Sequence, residues 1–202
     1  MHERYEIQGR EVRLPCVVRD ASAGAATWIV PAAPARRLLP GPELELACVL
    51  PGRALLSIAM IDYRDNDLGD YAEVSIGVFA RPRGERPRVP WVGSMVDLVR
   101  RRLGVYIRHL PVNQSFTCEA GCRIWGYPKT VQTIELETTP GRMRGRLVYD
   151  GEHALTLSLP RGGARTVPEG ELVSYSRIEG IPHRIRAVQG ASGFGIRLGG
   201  AE

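Results

Sequence analysis

Three β-prone segments follow one another through residues 131–159, each separated from the next by a short turn. They cover residues 131–137, 142–149 and 154–159, with Thr139-Pro140-Gly141 and Asp150-Gly151 between them. Asp-Gly is a strong two-residue hairpin signal, because both central positions of a type I′ turn need a positive φ. The series therefore predicts a meander of antiparallel hairpins.

Other segments rich in β-branched and aromatic residues are bounded by Gly, Pro, Asp and Asn, which predicts further strands. We expect strands at residues 11–18, 27–30, 55–63, 71–79 and 115–125. Apolar residues at helical spacing predict helices at 32–39 and 91–103. In the second helix, Met95, Leu98, Val99 and Leu103 form one stripe, which we expect to face the core. Residues 81–87 hold too much proline and charge for a regular element and predict an exposed connection. The expected fold class is mainly β (α+β), a largely antiparallel curved sheet or barrel with a few helices.

Length and composition fit one globular domain over residues 1–202, with 44% hydrophobic and 24% charged residues. The apolar runs are too short to span a bilayer. Residues 1–4 lead into polar sequence and not into a hydrophobic signal region, so we predict a cytoplasmic protein with no membrane partner. The net charge is +5, but the basic residues are dispersed apart from residues 81–88 and 100–102, and no nucleic-acid motif occurs, so no nucleic-acid partner is predicted.

The four cysteines have the spacing of neither a zinc ribbon nor a redox motif. They are Cys16, Cys48, Cys118 and Cys122. Cys118 and Cys122 lack a companion pair that would complete a metal site. We therefore expect reduced and mostly buried thiols, and no metal.

Lys129 is the only lysine of the chain, and the other 26 of its 27 lysine and arginine residues are arginine. A guanidinium stays protonated, whereas a desolvated ammonium can lose its proton and attack a carbonyl as a neutral amine. Lys129 ends the apolar and aromatic run Ile124-Trp125-Gly126-Tyr127-Pro128, which is typical of a pocket rim. Burial there is expected to lower the lysine pKa. The alternative is one lysine left by chance on a solvated surface.

An amine nucleophile needs a group that moves protons and a group that holds an anionic substrate. Glu73 follows a glycine turn at the start of a predicted strand and can project inward, either as a structural ion-pair member or as an acid/base. Arg10 begins a predicted strand and can bind a carboxylate through its two-pronged guanidinium, or it is a surface arginine.

The segment Gly121-Cys122-Arg123-Ile124-Trp125-Gly126-Tyr127-Pro128-Lys129 resembles the active-site segment of the acetoacetate decarboxylase family, in which an aromatic-Pro-Lys sequence carries a Schiff-base lysine. Residues 67–74 are similar to the family's Gly-x-Tyr-x-Glu motif, and Gly9-Arg10-Glu11 is similar to its amino-terminal Asn-Arg-Glu segment. The resemblance extends over about residues 4–186. The lysine segment is the most specific of the three motifs and the arginine segment the least.

The resemblance implies a role for each matched position. Lys129 is the Schiff-base nucleophile, Glu73 the acid/base or substrate-positioning carboxylate, Arg10 an organiser of the site or of the substrate carboxylate, and Tyr127 a wall of the pocket. It also implies a cone-like β-barrel, a homo-oligomer and catalysis without a metal or an organic cofactor.

The sequence departs from the family pattern at three places. Thr130 stands where many members have a second lysine, so any neighbouring positive charge has to come from Arg10 or Arg123. Cys122-Arg123 replaces the usual Arg-Glu pair. The sequence ends at Glu202, whereas typical members continue for some tens of residues, which fits either a truncated or a natural short form.

The resemblance favours decarboxylation of a small 3-oxo acid to a ketone and carbon dioxide through an imine on Lys129. A second hypothesis keeps the imine but uses it for aldol or dehydration chemistry on a pyruvate-like oxo acid, because fold does not fix chemistry. A third is a non-catalytic domain that binds a small carboxylate or serves in assembly. The far end of the pocket, and hence substrate length, is left open, with residues 110–112 and Phe116 as candidates.

Overall fold

The computed structural model describes residues 3–196, which form thirteen strands and three helices. The strands are β1 (Arg4–Ile7), β2 (Arg10–Arg13), β3 (Val18–Pro31), β4 (Leu44–Leu46), β5 (Arg53–Asn66), β6 (Tyr71–Pro82), β7 (Gly104–Val112), β8 (Lys129–Val131), β9 (Thr133–Thr138), β10 (Arg142–Tyr149), β11 (Glu152–Pro160), β12 (Arg165–Ile178) and β13 (Ile181–Phe194). The helices are α1 (Ala32–Arg36), α2 (Val92–Val99) and α3 (Ser115–Trp125).

An eight-stranded sheet carries most of the structure. Six of its strands follow the order β13-β12-β7-β6-β5-β3. In addition, β4 pairs with β6, and β8 pairs with β7. The pairs are antiparallel except where β7 meets β12 and β8, which lie parallel to it. The sheet curls into a half-barrel, which confirms the predicted mainly β fold with curved sheets and few helices.

The meander predicted from the turn sequences is present as the sheet β9-β10-β11. Asp150 and Gly151 join β10 to β11, and both have a positive φ, of 50° and 84°. The meander packs face to face on the large sheet through an apolar cluster that includes Met60, Val74 and Leu147. A Cβ on Gly145 would lie 2.1 Å from the Met60 sulfur, so only glycine permits this approach.

The strand predicted at residues 115–125 is wrong, because this segment forms helix α3. The Gln114 side chain accepts a hydrogen bond from the Thr117 backbone N–H at the start of the helix, and Gly126 ends it with φ 63°. Its buried positions follow helical spacing and are Thr117, Ala120, Gly121 and Ile124. Cap and periodicity therefore outweigh the β-branched and aromatic composition of the segment. This helix packs against the hairpin β1–β2 and positions part of the site.

Several boundaries differ from the prediction. The strand expected at 11–18 is two strands, since the chain leaves β2 at Arg13 and enters β3 at Val18, with Pro15 in between. Strand β3 continues through the predicted 27–30 segment, and both helices are shorter than expected. Strands β1, β4, β7, β12 and β13 were not predicted. None of the helices in residues 3–196 is long and apolar enough to cross a membrane.

Three predictions about burial are also wrong. Half of the predicted stripe is exposed, with Met95 45% and Val99 79% accessible, whereas Leu98 is half-buried and Leu103 is buried. Arg81 is only 6% accessible and lies within β6, so residues 81–87 are not uniformly exposed. The cysteines are free, as expected, but three are half-buried and Cys122 is exposed.

Candidate active site

Lys129 starts strand β8, where it pairs with Leu110 of β7. Its side chain is only 4% accessible. The aliphatic part of the side chain runs across α3 at Gly121, where an added Cβ would lie 2.5 Å from Lys129 Cδ. The alternative of a lysine on a solvated surface is thereby excluded, and Gly121 is required for this path of the side chain.

Glu73 lies on β6 with its carboxylate directed at the lysine. Its Oε2 is 2.7 Å from Lys129 Nζ, and its side chain is 10% accessible. Both residues adjoin β7, since Glu73 pairs with Val112 and Lys129 with Leu110. The sheet thus places the two predicted catalytic residues in direct contact as a buried ion pair.

Two further groups contact the ammonium. Its Nζ donates to Thr117 Oγ1 on α3 at 3.4 Å, and it lies 5.0 Å from the ring centroid of Tyr71. Thr117 is completely buried. The nitrogen is therefore surrounded by a carboxylate, a hydroxyl and an aromatic ring.

Three tyrosines form the polar surroundings of the pair. Tyr71 stacks on Tyr63 of the neighbouring strand with ring centroids 4.4 Å apart. The Tyr127 hydroxyl is 2.6 Å from Ser174 Oγ on β12, so Tyr127 is fixed by a strand that was not predicted. Burial raises the pKa of all three phenols above the ordinary value of 10.0. They are proton donors at neutral pH.

The protonation state of Lys129 differs from the expectation of a neutral amine in an apolar pocket. Burial is the largest single effect and lowers the pKa of its ammonium. The charge and hydrogen bond of Glu73, together with the negative charges of Tyr71 and Tyr127, raise that pKa by more. The Lys129 pKa therefore lies above its ordinary value of 10.5, and the resting state is ammonium with carboxylate.

Arg10 lies apart from this cluster. Its Nη2 donates to the Asp67 carbonyl oxygen at 2.7 Å, and its guanidinium lies over the ring of Phe116, 4.7 Å from the centroid. The side chain is exposed, and no described contact joins it to Lys129 or Glu73. Its predicted role with the substrate carboxylate stays a prediction.

A cavity of about 290 Å³ lies next to the segment that precedes Lys129. Its lining is Tyr106, Ile107, Cys122, Gly126, Tyr127, Pro128 and Arg177. Tyr127 links this cavity to the ion pair. It lines the cavity, and its hydroxyl interacts electrostatically with Glu73 and Lys129. A larger cleft of about 780 Å³ is lined by other residues, including Arg81 and Trp91, and not by Lys129 or Glu73. Of these two, the smaller cavity adjoins the Lys129–Glu73 pair, through Tyr127.

Sequence reasoning missed Tyr71, Thr117 and Gly121 as parts of the site. Tyr71 stands two positions before Glu73, and residues at i and i+2 of a strand share a face, so it could have been found. Thr117 and Gly121 are four apart, which brings them to one helix face only if the segment is a helix. The wrong strand prediction concealed both.

No group of three His, Cys, Asp or Glu side chains within residues 3–196 is arranged to hold a metal ion. The polar groups gathered at Lys129 are instead one amine, one carboxylate and several hydroxyls. Such a set can form an imine with a carbonyl compound and move protons around it.

The protein is a β-rich half-barrel with a buried lysine–glutamate pair on strands β8 and β6. The chain belongs to the acetoacetate decarboxylase family, whose sequence model matches residues 5–191. Family membership confirms the resemblance seen in the lysine, glutamate and arginine segments.

Solved structures share the fold at low sequence identity. An acetoacetate decarboxylase structure matches with a TM-score of 0.60 and 16% identity over 90% of this chain and 69% of its own. Acetoacetate decarboxylase from Legionella pneumophila matches with a TM-score of 0.56 and 16% identity, covering 88% of this chain and 66% of its own.

A third match is the enduracididine biosynthesis enzyme MppR, complexed with the condensation product of pyruvate and imidazole 4-carboxaldehyde. Its TM-score is 0.50 and its identity 18%, over 83% of this chain and 66% of MppR. The chain thus spans about two thirds of the length of these structures. No curated protein matches the chain significantly in sequence.

Proposed function

We propose that this protein forms an imine between Lys129 and a small oxo acid, and that it decarboxylates a 3-oxo acid to a ketone. The observation that supports this is the buried contact of 2.7 Å between Lys129 Nζ and Glu73 Oε2. An amine and a carboxylate held this close in a site without bulk water can exchange a proton directly. We also propose that residues 1–202 form one domain.

The resting ion pair sets the first step. A bound substrate excludes water from the pair, which favours the neutral amine and carboxylic acid over two buried charges. The ammonium proton then moves across the contact to Glu73, which leaves a neutral amine. The amine nitrogen bonds to the ketone carbon, and the proton held by Glu73 passes to the ketone oxygen. Glu73 then takes one proton from the nitrogen and passes it to the same oxygen, which leaves as water and gives a protonated imine.

The resulting cationic imine is an electron sink. The bond between the carboxylate and the α-carbon breaks, carbon dioxide leaves, and the electron pair moves toward the imine nitrogen to give an enamine. Protonation of that carbon restores the imine, and the neutral phenols of Tyr71 and Tyr127 are the available donors, because Glu73 has already given up its proton. Hydrolysis then releases the ketone and the ammonium form of Lys129, and one proton from solvent restores the phenol, so atoms and charge balance without a cofactor.

The substrate reaches the amine from the cavity of about 290 Å³. That volume is at the small end of the range for ligand pockets and suits an oxo acid of a few carbon atoms. Tyr127 lines this cavity, and we expect its ring to turn aside to admit the substrate to Lys129. Arg177 supplies a cation in the cavity lining, whereas Arg10 donates to the Asp67 carbonyl and lies over the ring of Phe116.

The second candidate is aldol or dehydration chemistry on a pyruvate-like acid. It is favoured by the polar groups around the nitrogen, since a carboxylate base beside phenol donors also suits proton abstraction next to an imine. Thr130 in place of a second lysine fits this reading as well. MppR, which binds a pyruvate condensation product, has the same fold.

Borohydride reduction in the presence of an oxo acid tests both candidates. A modified Lys129 blocks tryptic cleavage, so the adduct appears on a peptide from Ile124 to Arg142, and its absence at the chain's α-amino group controls for unspecific reaction. A Lys129→Arg control keeps the charge but cannot form an imine.

Acetoacetate should yield an isopropyl adduct on Lys129, together with carbon dioxide release faster than in buffer or with the Lys129→Arg variant. A reaction with acetone alone is the control, because acetone formed from acetoacetate without the enzyme would give the same isopropyl adduct. A carboxylate-retaining adduct from pyruvate, without accelerated carbon dioxide release from acetoacetate, would favour the second candidate. If neither acid gave an adduct, the hypothesis of a non-catalytic, carboxylate-binding domain would remain.

A further inference from the structure

Arg177, on β12, is the only charged residue in the described part of the chain that lines the cavity of about 290 Å³. Its backbone carbonyl lies against Gly126, where an added Cβ would clash with the carbonyl oxygen. A second residue of β12, Ser176, donates a hydrogen bond to the Trp125 carbonyl. Strand β12 therefore fixes Arg177 relative to the segment that leads into Lys129.

Two backbone carbonyls hold the guanidinium of Arg177 in one orientation. Its Nε donates to the Gly180 carbonyl at 2.9 Å, and its Nη1 donates to the Pro40 carbonyl at 2.8 Å. Its Nη2 has no hydrogen-bond acceptor among residues 3–196, since the Glu43 carboxylate is 3.9 Å away, beyond hydrogen-bond distance. A positioned cation thus keeps N–H groups that an anion can use.

The contact with Glu43 leaves this guanidinium available to a ligand. Glu43 lies in the connection between α1 and β4, and its side chain is 45% accessible. An ion pair this exposed contributes little, because water screens both charges. A carboxylate bound in the cavity can therefore replace Glu43 at Nη2.

The cavity lies at some distance from the reacting amine along β7. This strand lines the cavity with Tyr106 and Ile107, whereas Lys129 pairs with Leu110, three positions further on. Three positions of a strand span about 10 Å. The neighbouring groups that shift the pKa of Lys129 are a carboxylate and two phenols, and no arginine is among them. A carboxylate on Arg177 is thus several bonds away from a carbonyl carbon at Lys129.

This separation decides which carboxylate Arg177 can bind. In a 3-oxo acid a single methylene group joins the leaving carboxylate to the ketone carbon, so this carboxylate stays beside the amine. A cation paired tightly with it would also stabilise the ground state more than the transition state for loss of carbon dioxide. A carboxylate on the other side of the ketone meets neither objection.

We propose that Arg177 binds a second carboxylate of the substrate, on the side of the ketone away from the leaving group, and that the site therefore takes dicarboxylic 3-oxo acids. Loss of carbon dioxide and uptake of one proton then give a keto acid that keeps its carboxylate on Arg177. The reaction rests on the proposed function, whereas the anion site does not. Arg10, which does not line the cavity, is the competing candidate.

Isothermal titration calorimetry tests the anion site with 5-oxohexanoate and with 2-hexanone, in which a methyl group replaces the carboxylate. The acid should bind the wild type at least tenfold more tightly than the neutral ketone. Arg177→Gln should reduce this preference at least tenfold, and Arg177→Lys, which keeps the charge, should retain part of it. Glu43→Gln should tighten binding of the acid. Arg186→Gln is the matched control, because Arg186 is 62% accessible and pairs with Glu171 outside the cavity.

Carbon dioxide release tests the substrate class. 3-Oxoadipate and 3-oxohexanoate differ only in the carboxylate or methyl group at the end away from the leaving group. The diacid should have a kcat/KM at least tenfold higher. Arg177→Gln should remove this advantage mainly through KM, because the distal contact is the same in the ground state and in the transition state. Circular dichroism checks the folding of each variant.

Equal affinity of the wild type for 5-oxohexanoate and 2-hexanone overturns the proposal, whatever the variants do. A preference for the acid that survives Arg177→Gln, or that is lost in Arg10→Gln instead, also overturns it. Binding of the acid through Arg177 without carbon dioxide release from either oxo acid would support the anion site and reject the proposed decarboxylation. Equal release from both oxo acids would support the decarboxylation and reject the second carboxylate.

Discussion

Lys129 and Glu73 meet across strand β7, one from each of the two strands that flank it. Lys129 pairs with Leu110 and Glu73 with Val112, two positions apart on the same face of β7. The contact of 2.7 Å between their charged groups is thus set by strand register and not by a flexible loop. A pair built into the sheet in this way contributes to both stability and chemistry.

The first prediction concerns the stability of that pair. Lys129→Met leaves the Glu73 carboxylate buried without its partner, and we expect the free energy of unfolding to fall by about 3–5 kcal/mol. The double variant Lys129→Met/Glu73→Gln removes both charges and should recover a large part of the loss. Urea unfolding at neutral pH measures all four proteins of the cycle. Strictly additive effects would contradict a coupled pair.

The sequence predicted the pair but not the helix that completes its surroundings. Lys129 and Glu73 could be identified because a lone lysine after Tyr127-Pro128 and a carboxylate in an early strand position are visible locally. Thr117 and Gly121 could not, since their side of the site exists only if residues 115–125 are helical. That choice was decided by the Gln114 cap and the left-handed Gly126, which outweigh local β propensity.

The protonation state of Lys129 could not be predicted from the sequence either. A pocket of apolar and aromatic residues predicts a lowered pKa, whereas the structure adds a carboxylate at hydrogen-bond distance, and the two effects act in opposite directions. Their balance depends on the distance between Lys129 and Glu73, which no pattern in the sequence contains. The orientation of α2 could not be predicted for the same reason, because only the position of Arg81 in the fold decides which side of the helix faces inward.

The second prediction separates these two effects on the Lys129 pKa. Glu73→Gln removes the charge that raises the pKa and leaves the burial that lowers it, so the pKa should move from above 10.5 to below it. Because the chain has one lysine, ¹³C labelling at Cε gives one signal whose titration is read by NMR. Glu119→Gln, which removes an exposed carboxylate of α3, is the control. A wild-type midpoint below 10.5 would refute the raised pKa of Lys129.

The third prediction concerns the approach of α3 to the lysine. In Gly121→Ala the new Cβ would lie 2.5 Å from Lys129 Cδ, so the side chain has to leave its place beside Glu73. We expect the yield of reduced imine adduct to fall at least tenfold, with a loss of stability of about 1–3 kcal/mol from overpacking. Gly141→Ala is the matched control, since nothing lies within 4 Å of its added Cβ. Wild-type adduct yield in Gly121→Ala would show that the lysine does not need this path.

The fourth prediction is a loss of stability at alkaline pH that originates in the site. Burial raises the pKa of Tyr63, Tyr71 and Tyr127, and Glu73 raises that of Lys129 against the effect of burial. Below pH 10 the folded and unfolded chains both keep these protons, so the stabilisation is complete. Above the ordinary values of 10.0 and 10.5 the unfolded chain releases protons that the folded chain retains, and the free energy of unfolding falls as pH rises.

Urea unfolding across this range, repeated with Tyr63→Phe, assigns the effect to the site. Tyr63 is a sensitive probe because its ring stacks on Tyr71, the residue that lies beside the Lys129 ammonium. Phenylalanine keeps the stacking and removes one titrating group, so the decline of stability with pH should become shallower by up to one proton. An unchanged slope would mean that Tyr63 titrates alike in the folded and unfolded chains, which would contradict a raised pKa for this buried phenol.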